Sequence, residues 1–282
     1  MAAGEMTVWI DGRVTGARDA RIAATDHGFT VGDGVFETCK VVDGRPFALT
    51  RHLQRLARSA AVLDLGCPPG AEVAAAVEQL LAAVGSMPFG RLRITVSGGA
   101  GPLGSERGEA RPTVVLTAAA ADRWPDRIAA VTVPWPRNER SAVAGAKTTS
   151  YAENVVALAA AHRRGAHEAL LRNTRGELCE GTGSNVVVER DGVLVTPPLE
   201  SGCLAGITRE LFLEWAAAEG MPLIEDVVTP GDLLGAPEVL LTSSTRDVQH
   251  VGDMDGRAVP GTTLGKAAVE LFARRAAERH DP

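Results

Sequence analysis

The chain has 282 residues, 45% of them hydrophobic, which is enough to bury a sizeable core and more than one small domain usually holds. A formal net charge of −6 and a pI near 5.6 leave no basic excess, which argues against nucleic-acid backbones and anionic membrane surfaces as principal partners. Four cysteines, Cys39, Cys67, Cys179 and Cys203, lie without any Cys-x-x-Cys spacing, so neither a zinc site nor a disulfide framework is expected. The N-terminus, Met-Ala-Ala-Gly-Glu-Met, has no basic and no apolar leader region, and no run reaches membrane-spanning length. A cytoplasmic protein is the expectation.

The first part of the chain reads as strands punctuated by turns: Thr7–Ile10 before Asp11-Gly12, Val35–Val42 before Asp43-Gly44, then Pro46–Leu49. A helix is predicted from Thr50, taken as its N-cap, with Leu53, Leu56, Ala60 and Leu63 on one face, and a second over Ala71–Val84. Strands at Leu92–Val96 and Pro112–Ala118 flank a Gly-rich loop from Gly98 to Gly104. Residues 1–119 thus form a small α+β domain, 120–127 a connector containing Trp124-Pro125, and 128–282 a larger domain. In that larger domain, a strand over Arg127–Val133 precedes a helix beyond Lys147. Ser150 and Glu153 fit a capping box for this helix, Tyr151, Val155 and Leu158 its buried face, and Gly165 its end. Strands at Glu168–Arg172, Ser184–Glu189 and Val193–Thr196 come next. A helix from Thr208 with Leu211, Phe212 and Trp215 inward, a strand at Glu238–Thr242 and a helix over Leu264–Ala277 complete the pattern.

Two strings carry the chemistry, Ala-Lys-Thr-Thr-Ser-Tyr at 146–151 and Glu-Gly-Thr-Gly-Ser-Asn at 180–185. Lys147 before a helix and Glu180 before an apolar strand suggest an amine and a carboxylate meeting at the mouth of one sheet. That pair suits pyridoxal 5'-phosphate: the amine forms a Schiff base with the cofactor aldehyde, and the carboxylate keeps the pyridine nitrogen protonated. A phosphate needs amides, hydroxyls and a cation. Gly206-Ile207-Thr208 opens a helix, Ser243-Ser244-Thr245 follows a strand, and Arg55 lies beside Leu56. The Gly98–Gly104 loop lacks the Gly-Lys-Ser/Thr ending of a nucleotide loop, and six dispersed histidines show no metal-ligand spacing.

The order Gly32-Asp-Gly-Val-Phe-Glu-Thr38, His52-Leu-Gln-Arg-Leu56, Ala146–Tyr151, Glu180–Asn185, Thr196-Pro-Pro, Cys203-Leu-Ala-Gly-Ile-Thr-Arg209 and Thr242-Ser-Ser-Thr245 resembles the class IV aminotransferase superfamily. The resemblance covers nearly the whole chain. It implies a two-domain α+β protein of fold type IV, similar to D-amino acid aminotransferase, with a small α/β sandwich domain and a larger, β-barrel-like domain with helices. It implies pyridoxal phosphate as cofactor, a small-molecule substrate and a homodimer. It makes Lys147 the Schiff-base lysine, Glu180 the partner of the pyridine nitrogen and Arg55 the phosphate cation. Leu204 would support the ring face, Gly206, Ile207, Thr208 and Ser244 the phosphate, and Tyr151 the ring hydroxyl. Ser243 and Thr245 would border phosphate and substrate.

Within that superfamily the strings around Gly32–Thr38, Lys147–Asn154 and Arg137-Asn-Glu-Arg140 look like aminodeoxychorismate lyases, which release pyruvate from 4-amino-4-deoxychorismate and leave 4-aminobenzoate. The alternatives are a transaminase for branched-chain, D- or specialised amino acids, and a non-catalytic protein that binds the cofactor. Many superfamily transaminases carry an Arg-Gly pair where Gly98-Gly99 stands here. That leaves Arg137, Arg140 and Arg107 as expected anchors for a substrate carboxylate, with Phe36 and Trp135 placed to meet a ring.

Overall fold

The computed structural model describes residues 6–282; Met1–Glu5, part of the segment read for a leader, lie outside the described residues. Two compact units form. The first holds the described residues up to Arg123 together with Ala146–Tyr151 and Asp281; the second holds Trp124–Gly145 and Ala152–His280. The division falls inside the expected connector, but Ala146–Tyr151 packs with the first unit, whereas the sequence pattern assigns it to the second.

In the first unit, β1 (Thr7–Ile10) and β2 (Arg13–Gly16) are joined by Asp11-Gly12, both at positive φ, the two-residue turn that matches strand twist. A short α1 (His27–Thr30) precedes β3 (Gly34–Val42) and β4 (Arg45–Pro46), which repeat the turn at Asp43-Gly44. Then come α2 (Leu49–Val62), α3 (Gly70–Val84), β5 (Phe89–Ser97) and β6 (Thr113–Ala120). The sheet is antiparallel in the order β2-β1-β6-β5-β3-β4. Alternation along β3 and β5 turns Val35, Cys39, Val41, Leu92, Ile94 and Val96 toward Leu56, Ala60, Val77 and Leu80 of the two helices. Each buried valine, leucine or isoleucine among them stabilises by roughly 1.5–3 kcal/mol relative to exposure. The N-cap of α2 is Ala48, held in the left-handed region at φ 54°, and Thr50 sits inside the first turn. The expected strand at Pro46–Leu49 shrinks to β4, because the helix begins at Leu49.

The second unit is built from β7 (Arg127–Thr132), α4 (Ala152–Arg163), β8 (Glu168–Arg172), β9 (Leu178–Gly181), β10 (Asn185–Arg190) and β11 (Val193–Thr196). These are followed by α5 (Ile207–Ala218), β12 (Leu223–Glu225), α6 (Pro230–Gly235), β13 (Val239–Ser243), β14 (Asp247–Met254), β15 (Arg257–Ala258) and α7 (Thr263–Glu278). Its mixed sheet runs β12-β11-β10-β13-β14-β7-β8-β9, with β15 against β14. Strands β9, β12, β14 and β15 and helix α6 are additions to the sequence reading; β9 and β14 mix polar residues with apolar ones, which blurs the strand signal. Leu211, Phe212 and Trp215 of α5 are buried as expected. Helix α4 buries Asn154, Ala157 and Ala161 instead of the expected apolar stripe, leaving Val155 63% exposed. Small alanines let α4 sit close to β8, and the bulkier valines turn outward. Ser150, the expected N-cap, donates to the carbonyl of Gly32 at 3.0 Å, and α4 begins at Ala152. All four cysteines are free thiols, and burial pushes Cys39 and Cys179 well up and Cys203 up to about 11. No described helix is long and apolar enough to cross a membrane.

Candidate active site

The predicted residues fall into two groups, one in each unit. Lys147 and Glu180 do not share a sheet: the segment of Lys147 pairs with β3 of the first sheet, and Glu180 lies within β9 of the second.

In the first unit, residues 147–149 add an edge to the start of β3. The amide of Phe36 donates to the Lys147 carbonyl at 3.0 Å, and the Thr149 amide to the Gly34 carbonyl at 2.8 Å. Gly34 permits this approach, because a Cβ there would meet the Val96 carbonyl at 2.8 Å and Thr149 Oγ1 at 3.0 Å. The Lys147 amide also donates to Ser59 Oγ of α2 at 3.0 Å. With its backbone fixed on two sides, Lys147 places Nζ 4.4 Å from the centre of the Phe36 ring and 5.9 Å from that of Tyr151. The two rings meet edge-on at 5.1 Å. Arg93, on the neighbouring strand β5, lays its guanidinium 3.8 Å from the same Phe36 ring and donates to Thr95 Oγ1. No carboxylate pairs with Arg93 among the described residues. Partial loss of hydration lowers its pKa, yet an arginine stays cationic at neutral pH. Arg93 is absent from the residues singled out by sequence; the period of β5, which puts 93 and 95 on the face of Phe36, is the signal that could find it.

On the opposite face of β3, Glu37 is fully buried and accepts from Arg55 Nε at 2.8 Å, Arg55 Nη2 at 2.7 Å and His52 Nδ1 at 2.7 Å. Burial alone would raise the Glu37 carboxyl, but the charge and hydrogen bonds of Arg55, with the His52 bond, hold it down to about 2. Burial lowers the pKa of His52 despite the Glu37 bond, so the ring is neutral at pH 7. The expected phosphate cation is therefore an oriented one, its fork aligned by a buried carboxylate.

In the second unit, Glu180 Oε2 accepts from the Leu204 amide at 2.9 Å and Oε1 lies 3.2 Å from Arg137 Nε. Arg137 further pairs with Glu153 at 3.6 Å and donates to Asn154 Oδ1 at 3.2 Å. Arg137, an expected anchor of a substrate carboxylate, is thus ion-paired with Glu180 and Glu153 in this structure. Arg107 is likewise committed, to Asp33 at 2.6 Å and to the carbonyls of Leu63 and Asp64. Arg140 is exposed, and its amide donates to Asn138 Oδ1 at 3.0 Å. Trp135 is 45% exposed.

Helix α5 begins at Gly206 without a side-chain cap, so the first-turn amides of Ile207 and Thr208 remain for an anion. A Cβ at Gly206 would run into Asn185 Oδ1, so any larger residue would have to displace the Asn185 amide. Asn185 also donates to the Leu204 carbonyl at 2.8 Å, which fixes the chain from Leu204 to Gly206 at the helix start. Ser243, Ser244 and Thr245 form the β13–β14 turn, closed by the Arg246 amide on the Ser243 carbonyl at 3.1 Å. An uncapped helix start, a hydroxyl-bearing turn and a charge-matched carboxylate are the donor and acceptor set that a phosphorylated pyridine asks for.

The family model for class IV amino-transferases matches residues 34–253, and the chain belongs to that family. Two relatives are each 32% identical: a putative branched-chain-amino-acid aminotransferase of Methanocaldococcus jannaschii, with 94% of each chain covered, and a bifunctional aminodeoxychorismate lyase / D-amino acid transaminase of Mycobacterium tuberculosis, with 94% of this chain and 97% of the relative covered. A solved structure, the PLP-bound form of a hypothetical aminotransferase from Mycobacterium tuberculosis, superposes with a TM-score of 0.86 at 31% identity, covering 97% of this chain and 100% of that one. The chain is an enzyme of fold type IV that uses pyridoxal phosphate, as the sequence strings implied.

Proposed function

We propose that the chain transfers an amino group between an amino acid and a 2-oxo acid, with Lys147 as the catalytic amine and Arg93 as the anchor of a substrate carboxylate. The observation that carries this is the Phe36 ring, which has Lys147 Nζ at 4.4 Å and the guanidinium of Arg93 at 3.8 Å. An exposed cation that has no carboxylate partner among the described residues is open to an anionic ligand, and the nearby lysine is the group that must exchange protons with that ligand's α-carbon. Bound pyridoxal phosphate supplies the electron sink. Glu180 would keep its ring nitrogen protonated, and Leu204 would support the ring face. Arg55, Gly206, Ile207, Thr208, Ser243 and Ser244 would hold its phosphate, Tyr151 its ring hydroxyl, and Thr245 would border the substrate. Arg137 backs Glu180 instead of touching substrate.

Amino transfer is favoured over the lyase expectation because both named relatives include a transaminase, branched-chain in one and D-amino acid in the other. The second of these is also a lyase, which keeps release of 4-aminobenzoate as the second reading. The assay offers branched-chain and D-amino acids with 2-oxo acids in one set of reactions and 4-amino-4-deoxychorismate in another. New amino acid supports transfer, and 4-aminobenzoate with pyruvate in the second set alone overturns it. Arg93→Ala should raise KM for the oxo acid about tenfold or more while the bound-cofactor absorbance persists; an unchanged KM removes Arg93 from the role. A cytoplasmic homodimer completes the proposal. Exposed Ile22, Phe29 and Val31 on the first unit, and Val155 and Val156 on the second, support self-association. Sedimentation should give twice 29.4 kDa.

A further inference from the structure

Glu168 is a buried carboxylate, 1% exposed, that none of the roles above uses. It stands at the start of β8. Its Oε1 accepts from the Thr182 amide at 3.0 Å and from the Thr182 hydroxyl, and its Oε2 accepts from Ser184 Oγ at 3.0 Å. Thr182 and Ser184 belong to the loop directly after Glu180. On its other side, Glu168 Oε2 lies 3.3 Å from Nη2 of Arg246, itself buried at 7%. Arg246 closes the Ser243–Thr245 turn. It donates to Gln249 Oε1 at 2.9 Å and stacks 3.7 Å from the Trp124 ring, whose Nε1 donates to Thr245 Oγ1 at 3.4 Å.

The connection runs on to Glu180, its last link an ion pair. The Thr182 carbonyl accepts from Asn154 Nδ2 at 2.5 Å, Asn154 Oδ1 accepts from Arg137, and Arg137 pairs with Glu180. One polar chain inside the second unit thus links the ring-nitrogen carboxylate to the turn that carries Ser243 and Ser244.

We infer that Glu168 and Arg246 are positioning residues that set the distance between Glu180 and the 243–245 turn, so that both ends of pyridoxal phosphate are gripped together. The physical case is burial. A carboxylate at 1% exposure is tolerated only when its lone pairs are filled, and here they are filled by both cofactor-bearing segments at once. Either segment moving alone would strand a buried charge. The inference rests on the assignment of Glu180 and Ser244 to the cofactor.

The experiment titrates apo forms of wild type, Glu168→Gln, Arg246→Met and the double variant with pyridoxal phosphate. Circular dichroism reports the fold and the near-visible band reports the ring environment. Methionine keeps the unbranched apolar stem of Arg246 and removes its guanidinium, and with it the charge and the stacking on Trp124. Each single variant should fold, bind the cofactor about tenfold more weakly, the scale of one charged hydrogen bond, and shift the near-visible band, since Glu180 moves with the network. The double variant should be no weaker than the weaker single. Folded single variants with wild-type affinity and band position overturn the inference, as do losses that multiply in the double variant. If Glu168→Gln fails to fold, Arg246→Met decides by the same criteria. Glu180→Gln and Ser244→Ala run alongside: if neither changes affinity or spectrum, the cofactor assignment falls and the inference with it, whereas changes in these two alone overturn the inference and leave the assignment standing.

Discussion

Replacing Glu37 by Gln keeps the shape of the side chain and removes the charge that holds Arg55 and His52. The fall of the carboxyl from 4.5 to about 2 corresponds to roughly 3 kcal/mol at about 1.4 kcal/mol per pKa unit. Breaking a buried pair from one side costs about 3–5 kcal/mol, in agreement. A loss of about 3 kcal/mol in a chain of this size lowers Tm by about 6–12 °C. The pH dependence follows from linkage. Folded Glu37 has a depressed pKa, so its stabilisation is complete above the unfolded value of 4.5 and is lost as pH falls toward about 2. The gap between wild type and variant should therefore stay flat from about pH 8 to about pH 5 and close below that. His52 adds a decline of the same sign in the wild type: its folded pKa is lowered, so stability is lost as pH falls below the unfolded value of 6.5. Thermal melts across pH measure all of this. A Tm drop under about 2 °C near neutral pH, where about 6–12 °C is expected, would falsify the reading of Glu37 as the charge that carries this corner.

Lys147→Ala should abolish the near-visible absorbance of the bound cofactor and its borohydride-fixed attachment; fixation at another lysine would overturn the assignment. Glu180→Gln should keep the cofactor, since the Leu204 amide still finds an acceptor, and lose about a hundredfold or more in turnover, so wild-type turnover counts against the ring-nitrogen role. Arg107→Ala removes the bond to Asp33 and those to the Leu63 and Asp64 carbonyls, and should speed proteolytic cleavage within residues 98–112 while the rest of the unit stays resistant. Equal cleavage rates would show that Arg107 does not tie this loop down.

Much of the fold is legible in the sequence because its signals are local. Asp11-Gly12 and Asp43-Gly44 take the positive φ values their hairpins need, and β3, β5, β8, α3 and α5 lie within a few residues of their predicted spans. What escapes is set by distant neighbours. The buried face of α4 differs from the expected one because Ala157 and Ala161 pack by being small, a preference that hydrophobicity does not rank. The site shows the same division. Lys147 and Glu180 stand out by residue type and context, whereas the roles proposed for Arg137 and Arg93 rest on how each arginine is paired. Arg137 meets Glu180, Glu153 and Asn154, and Arg93 meets an aromatic ring and, among the described residues, no acid. No spacing in the sequence separates a paired arginine from an unpaired one.

Helix α2, which carries His52 and Arg55, shows how far a partner can lie. Thr50 has the residue type of an N-cap, but Ala48 holds that position and offers no side-chain oxygen to the first turn. The oxygen comes instead from Asp281, whose Oδ1 accepts from the Thr50 amide at 3.0 Å and whose Oδ2 accepts from the Thr50 hydroxyl at 2.5 Å. A carboxylate at this end also meets the positive pole of the helix. Asp281→Ala should therefore cost about 0.5–2 kcal/mol in urea unfolding, the range of a lost cap. Asp281→Asn keeps an accepting oxygen and gives up the charge, so it should lose only the dipole share, about 0.3–1 kcal/mol, and that share should shrink in high salt. If the alanine and asparagine variants prove equal, or both match wild type, the cap is not what steadies the start of α2.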